Sequence, residues 1–158
     1  MNATVEIGLE RALRDPPARL RASRAFGLLS NQASVTADFV HAVEALQARF
    51  PSTLCRLFGP QHGIWSTEQD NMVETAHGSY RGMPVYSLYS ETRAPTPAML
   101  DGIDLLVVDL QDVGTRVYTY AWTLTHCMQA CAAHDVAVLV LDRPNPLGGV
   151  ISEGAQLD

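Results

Sequence analysis

Residues 103–118, IDLLVVDLQDVGTRVY, decide the fold of this chain. The first half is a run of apolar, largely branched residues, which is typical of a strand buried on both faces of a sheet. The second half turns polar, with Gln111, Asp112, Arg116 and Tyr118. A buried strand that ends in a group of functional side chains indicates an open α/β sheet, because such sheets bind ligands at the carboxyl ends of their strands.

Further apolar runs alternate with helical patterns along the chain. Strands are predicted at residues 25–30, 53–58, 84–88, 103–110 and 136–141, and helices at 5–14, 39–50, from 97 and over 118–134. Thr36 or Asp38 is expected to cap the helix at 39–50. This alternation predicts an α/β fold with a doubly wound, mostly parallel five-stranded sheet and helices on both faces. The strand at 103–110 is expected at its centre.

Composition excludes several classes of function. The 158 residues are 47% hydrophobic with a net charge of -6, and the eleven basic residues form no dense run, so no nucleic-acid partner is expected. The sequence contains no apolar run of about 18 residues, so no membrane span is predicted. Residues 1–6 show no signal-peptide pattern, which predicts a cytoplasmic protein. Cys55, Cys127 and Cys131 lack zinc spacing and are expected to be small core residues in a reducing compartment.

Motifs for common cofactors are missing from the sequence. There is no dinucleotide fingerprint, no phosphate loop and no Gly-x-Ser-x-Gly nucleophile motif. His62 and His77 with Asp70 and Asp112 match no metal-ligand spacing. We therefore expect no cofactor and no metal.

Every predicted strand ends in side chains that can bind or react. These side chains are Asn31 and Gln32, Gln61 and His62, Glu91 and Arg93, then Gln111, Asp112 and Arg116, and finally Asp142, Arg143 and Asn145. In a parallel sheet the loops that follow the strands lie at one edge, so these residues are expected to converge. Amides, carboxylates, Arg and Tyr suit a hydroxyl-rich or amide-bearing ligand such as a sugar.

Each of these residues also has a structural interpretation. Asp112 could cap the turn at 115–118 or pair with Arg116, and Asp142 with Arg143 could form a local ion pair, which we favour over chemistry for those two. The other structural interpretations are a loop hydrogen bond for His62, core packing for Tyr118 and Tyr120, and solvated loop charges for Asp70 and Glu74. Because five loops are expected to converge, we favour a ligand-binding site over a separate structural role for each residue.

Five motifs carry a resemblance to a known family. They are FGPQHG at 58–63, PVYSLY at 84–89, RAPTP at 93–97, DLQDVGTRVYTY at 109–120 and LDRPNPLGG at 141–149. In this order and spacing they resemble the exo-β-N-acetylmuramidases, formerly a domain of unknown function. The resemblance implies a glycoside hydrolase of cell wall recycling that releases non-reducing terminal N-acetylmuramic acid from peptidoglycan fragments.

The resemblance also implies a domain organisation. Family members have a Rossmann-like N-terminal domain and a smaller C-terminal domain, with the site in the cleft by the strand ends, and they are often exported. This chain resembles the N-terminal domain alone: residues 1–24 form a helical lead-in, 25–150 the Rossmann-like domain, and 151–158 a tail leading to an absent C-terminal domain. The expected partners are a sugar or muropeptide ligand, that missing domain and a second copy of the chain.

One position departs from the family motif. Family members commonly carry Glu where this chain has Gln61, and Gln cannot exchange a proton at neutral pH. Either a neighbouring carboxylate takes over, from Asp70, Glu74 or Asp112, or this homologue binds sugar without cleaving it. A third reading is an inert, truncated fragment.

The predicted site follows from these points. Glycoside hydrolysis normally needs two carboxyl groups, and we predict Asp112 as one and Glu74 or Asp70 as the other. The predicted substrate-binding residues are Asn31, Gln61, His62, Arg116, Tyr118, Asp142, Arg143 and Asn145. Arg116 suits the lactyl carboxylate, because a guanidinium binds carboxylates through two parallel hydrogen bonds.

Overall fold

The computed structural model describes residues 5–67, 74 and 76–155. In chain order its elements are α1 (Gly8–Arg14), α2 (Ala18–Ala22), β1 (Phe26–Ser30), α3 (Ala42–Arg49), β2 (Leu54–Gly59), β3 (Gly78–Tyr80), β4 (Met83–Ser87), α4 (Pro97–Leu100), β5 (Leu105–Asp109), α5 (Tyr120–Ala133) and β6 (Ala137–Val140). None of its helices is long and apolar enough to cross a membrane.

The strands form one sheet in the order β3-β4-β2-β1-β5-β6. All neighbours are parallel except β3 and β4, which confirms the predicted mostly parallel, doubly wound α/β fold. The predicted count of five strands is wrong, because β3 is a sixth. It has three residues, too few to show a periodic pattern, and it joins β4 through Arg81 and Gly82, which both have positive φ as tight hairpin turns require.

The strand order reverses between β1 and β5. Chain connections run outward from β1 through β2 to β4 on one side and from β5 to β6 on the other. β5 is therefore an interior strand with all five residues buried, but the middle of the five parallel strands is β1, not β5 as predicted. Ligands of doubly wound sheets bind at the carboxyl ends of the strands at such a reversal.

Two apolar cores flank the sheet. One contains Leu9 of α1 and Val43 and Leu46 of α3, and the other contains Leu100 of α4 and Cys127 of α5. Helices thus cover both faces, as predicted, and α1 belongs to the core.

The three cysteines are free thiols. Cys127 and Cys131 are fully buried, and burial raises the pKa of the Cys127 thiol to about 12 and that of Cys131 to about 11. Thiols with such pKa values carry almost no thiolate at neutral pH, so both residues act as apolar core groups.

The amino end of α3 differs from the prediction. The helix begins at Ala42, and the cap is His41, whose Nδ1 accepts a hydrogen bond from the Val43 N–H at 3.2 Å. The predicted caps, Thr36 and Asp38, are wrong. Thr36 instead accepts from the Val40 N–H, and this turn leaves the intervening Phe39 85% exposed with a φ of 60°.

The His41 cap makes the stability of the fold dependent on pH. Nε2 lies 2.9 Å from the Asn31 carbonyl oxygen, so a neutral ring donates through Nε2 and accepts through Nδ1. Burial lowers the pKa of His41 in the folded chain. An unfolded chain binds a proton at about pH 6.5 that the folded chain does not, so the free energy of unfolding should fall as pH decreases below about 6.5.

Urea unfolding between pH 7 and pH 5 tests this dependence. We expect His41→Gln to lower stability by about 1 kcal/mol at pH 7 through the lost cap, and to flatten the slope below pH 6.5. His134→Gln, at an exposed position after α5, is the control and should keep the wild-type slope. An unchanged slope in His41→Gln would assign the acid sensitivity to another group.

Candidate functional site

The loops after β1 and β5 are tied together by Asn31. Its side chain is buried, Nδ2 donates to the Gln111 carbonyl at 3.1 Å, and Oδ1 accepts from the Ala33 N–H at 3.2 Å and from the Ser34 hydroxyl at 3.1 Å. The single proton of the Ser34 hydroxyl is shared with the Asp109 carbonyl, which lies closer to that hydroxyl than Asn31 Oδ1 does. Asn31 therefore fixes the shape of the edge where the strand order reverses.

A buried ion pair lies beneath this edge. Arg143 Nε is 2.5 Å from Asp109 Oδ1 and Nη2 is 2.9 Å from Oδ2, with the side chains 6% and 0% exposed. Nη2 also donates to the Val35 carbonyl at 3.0 Å. Burial raises the pKa of the Asp109 carboxyl, and the Arg143 guanidinium opposes that shift. The predicted ion pair of Asp142 with Arg143 is wrong, because the Arg143 guanidinium is bound by Asp109 instead.

Asp109 was missed because it ends an apolar run. Charged side chains are almost never fully buried unless they are paired. A carboxylate at the last position of a buried strand therefore implied a buried cation, and the Arg at the end of the neighbouring strand was the available one.

Asp112 faces a cavity of about 280 Å³, which we call the Asp112 cavity. The polar residues that line it are Asp112, Tyr120, Asp142, Arg143 and Asn145. Asp112 Oδ1 is closed off from solvent and has no hydrogen-bond partner among the described residues. The predicted Asp112–Arg116 pair does not form: Arg116 Nη2 donates to the Ala155 carbonyl at 3.0 Å. An unpaired, solvent-excluded carboxylate oxygen is costly, so this position calls for a functional explanation.

Gln61 and His62 face a second cavity of about 210 Å³, the Gln61 cavity. Tyr118 and Tyr120 form its other wall, and Thr119 donates its hydroxyl to Gln61 Oε1 at 3.1 Å. His62 has a φ of 72° in the tight turn before Gly63, which aims this segment at the strand-end edge.

Tyr120 connects the two cavities, since it lines both. Its hydroxyl hydrogen-bonds to the side chains of Asn31 and Gln32, and burial raises its pKa. Core packing was the only role predicted for Tyr120. Its position at the start of α5, as the last residue of the 109–120 motif, was the available signal for a role at the site.

Arg116 and Asn145 line an open groove of about 1120 Å³ beside the Asp112 cavity. Asn145 borders both spaces, and its Oδ1 accepts from the Leu147 N–H at 2.9 Å. Gly114 has a φ of 72°, and a Cβ there would lie 2.3 Å from Asn145 Oδ1. Glycine at this position lets the 109–120 motif pack against the 141–149 motif.

Not all of the predicted residues meet. Glu74 is exposed and lines neither the Asp112 cavity nor the Gln61 cavity, and Asp70 lies outside the described residues. Asp142, predicted as a substrate-binding residue, does meet Asp112: it is exposed and lines the Asp112 cavity. Within residues 5–67, 74 and 76–155, no three His, Cys, Asp or Glu side chains are grouped to hold a metal ion.

A doubly wound α/β domain that gathers carboxylates, amides, Arg and Tyr where its strand order reverses belongs to the class of ligand-binding and enzymatic α/β domains. A sequence model described as "Exo-beta-N-acetylmuramidase NamZ, N-terminal" matches residues 26–158. The chain belongs to this family, which confirms the resemblance carried by its five motifs.

Similar proteins agree with this assignment. The chain is 40% identical to the peptidoglycan β-N-acetylmuramidase NamZ of Bacillus subtilis (strain 168), over 98% of this chain and 37% of that protein. Crystal structures of two DUF1343 family proteins from Bacteroides fragilis NCTC 9343 superpose with TM-scores of 0.78 and 0.70 at 36% and 31% identity. They cover 92% and 91% of this chain, which in turn covers 36% of each of them. The chain therefore spans little more than a third of these relatives.

Proposed function

We propose that this chain corresponds to the N-terminal part of an exo-β-N-acetylmuramidase and carries its catalytic groups. The reaction is hydrolysis of the bond that joins a non-reducing terminal N-acetylmuramic acid to a peptidoglycan fragment. The observation that carries the proposal is Asp112, whose Oδ1 is buried and unpaired in a cavity where the strand order reverses. Family membership supplies the substrate class.

The neighbouring side chains match the groups of this sugar. Arg116 is exposed in the groove and suits the lactyl carboxylate, which distinguishes N-acetylmuramic acid from N-acetylglucosamine. Asn145, which borders groove and cavity, can bind the acetamido group or a hydroxyl. Tyr118 is 45% exposed and can pack against the apolar face of the ring.

The test is hydrolysis of paired chromogenic substrates by the 158-residue chain. We expect release of nitrophenolate from 4-nitrophenyl β-N-acetylmuramide and at least about tenfold lower kcat/KM for the matching N-acetylglucosaminide, since tenfold corresponds to about 1.4 kcal/mol of lost binding. Arg116→Met should remove most of this preference. No release from the muramide at any enzyme concentration would overturn the hydrolase proposal.

Gln61 favours a second candidate, a domain that binds muropeptides without cleaving them. Gln61→Glu separates the two candidates, because the carboxylate would still accept the hydrogen bond from Thr119. If Asp112 is a catalytic group of the native chain, we expect Gln61→Glu to change kcat by less than about tenfold. A wild-type chain that binds N-acetylmuramic acid in calorimetry but gains hydrolysis only as Gln61→Glu would establish the binding domain instead.

A further inference from the structure

We propose that Asp142 is the second catalytic carboxyl group of this site and activates the attacking water while Asp112 protonates the leaving group. The inference rests on the proposed function, and it replaces Glu74 and Asp70 as the partner of Asp112.

The strand register brings the two carboxylates to one cavity. β5 and β6 are parallel neighbours with Val108 opposite Val140, and both valines line the Asp112 cavity. Asp142 comes two residues after Val140 and Asp112 comes four residues after Val108, and both aspartates line the same cavity as the two valines.

The register also sets an approximate spacing. Continued regularly, the register places Asp112 two residues beyond the position opposite Asp142, at a Cα separation of about 8 Å. Inverting glycosidases hold their two carboxyl groups about 6.5–9.5 Å apart, which leaves room for the attacking water molecule.

The surroundings of the two side chains divide their roles. Asp142 is exposed and no described residue bonds its carboxylate, so a water molecule can reach it from the cavity mouth. Asp112 also lines the cavity, but its Oδ1 is closed off from solvent. Asp142 takes a proton from water as the water oxygen bonds to C1. The bond from C1 to the glycosidic oxygen breaks with its electron pair on that oxygen, which receives the proton of Asp112.

The backbone of Asp142 is held on both sides. The Gly8 N–H donates to the Asp142 carbonyl at 2.7 Å, and a Cβ at Gly8 would lie 2.4 Å from the Asp142 nitrogen. On the other side, Arg143 is anchored in its buried ion pair with Asp109. The carboxylate of Asp142 is therefore free while its position is fixed, which is the arrangement that a catalytic base requires.

Kinetics of Asp142→Asn on the 158-residue chain test the inference. With 4-nitrophenyl β-N-acetylmuramide we expect kcat to fall by about 10²–10⁴-fold. Sodium azide should restore part of the turnover and give a glycosyl azide, because azide attacks C1 without losing a proton. Asp101→Asn, at an exposed carboxylate after α4, is the matched control and should keep wild-type turnover.

Each outcome decides a separate point. Turnover of Asp142→Asn within tenfold of wild type, or a loss that azide does not rescue, would overturn the role of Asp142 and leave the proposed function standing. A wild-type chain without turnover would overturn both. Carboxyl ¹³C spectra give a readout that does not depend on turnover: N-acetylmuramic acid should shift the signals of Asp112 and Asp142 but not that of Asp101. Absence of a shift at Asp142 would count against its place in the site.

Discussion

Replacing Arg143 with Met is expected to lower the free energy of unfolding by about 3–5 kcal/mol, because it leaves a buried charge without its partner. The Asp109 side chain is fully buried, and both of its oxygens are bound by the Arg143 guanidinium. The variant also removes the hydrogen bond from Nη2 to the Val35 carbonyl. A loss of this size is a large fraction of the stability of an ordinary domain.

Two further variants make the measurement specific. Asp109→Leu combined with Arg143→Met should recover most of the loss, since a well-packed apolar pair can replace a buried ion pair at little cost. Arg24→Met is the surface control: Arg24 is 90% exposed in its contact with Asp104, and we expect a change below about 1 kcal/mol. The measurement is urea unfolding of the wild type, Arg143→Met, the double variant and Arg24→Met. If Arg143→Met lost no more free energy of unfolding than Arg24→Met, the prediction would be contradicted.

Local patterns were sufficient for most of the fold. The strands at β1, β2, β4, β5 and β6 are apolar runs that end in polar side chains, and Pro97, which suits the first turn of a helix, marked the start of α4 correctly. β3 escaped notice because its three residues are exposed or half-buried and are held by pairing with β4 rather than by their own pattern. Such tertiary contacts leave no periodic signal in the sequence.

The sequence was sufficient to predict which edge of the sheet carries the site, but not which side chains contact each other there. Asn31, Asp112 and Asn145 each follow a predicted strand, and parallel strands end at the same edge of a sheet. Their convergence could therefore be predicted from the sequence. Which side chain meets which depends on contacts between distant parts of the chain, and adjacent residues such as Asp142 and Arg143 do not pair with each other. Their adjacency in the sequence suggested an ion pair between Asp142 and Arg143. In the structure, Arg143 pairs with Asp109 and Asp142 lines the Asp112 cavity.

Replacing Asp112 with Asn should abolish most hydrolysis while leaving the fold intact. Asn is nearly isosteric with Asp, and Asp112 Oδ1 has no described hydrogen-bond partner to lose. We therefore expect the free energy of unfolding to change by less than about 1 kcal/mol. A general acid contributes about 10²–10⁴-fold to the rate, and this factor should be lost for substrates whose leaving group needs a proton, such as a muramyl disaccharide.

The leaving group shows whether Asp112 supplies that proton. A dinitrophenolate leaves without protonation, so with dinitrophenyl β-N-acetylmuramide the loss in Asp112→Asn should shrink to less than about tenfold. Asp142→Asn should lose turnover on both substrates, because both need an activated water. Equal losses of Asp112→Asn on the two substrates would show that Asp112 is not the acid, and unchanged turnover would remove it from the mechanism. Because the two variants are predicted to respond differently to the leaving group, a general loss of folded protein cannot reproduce the pattern.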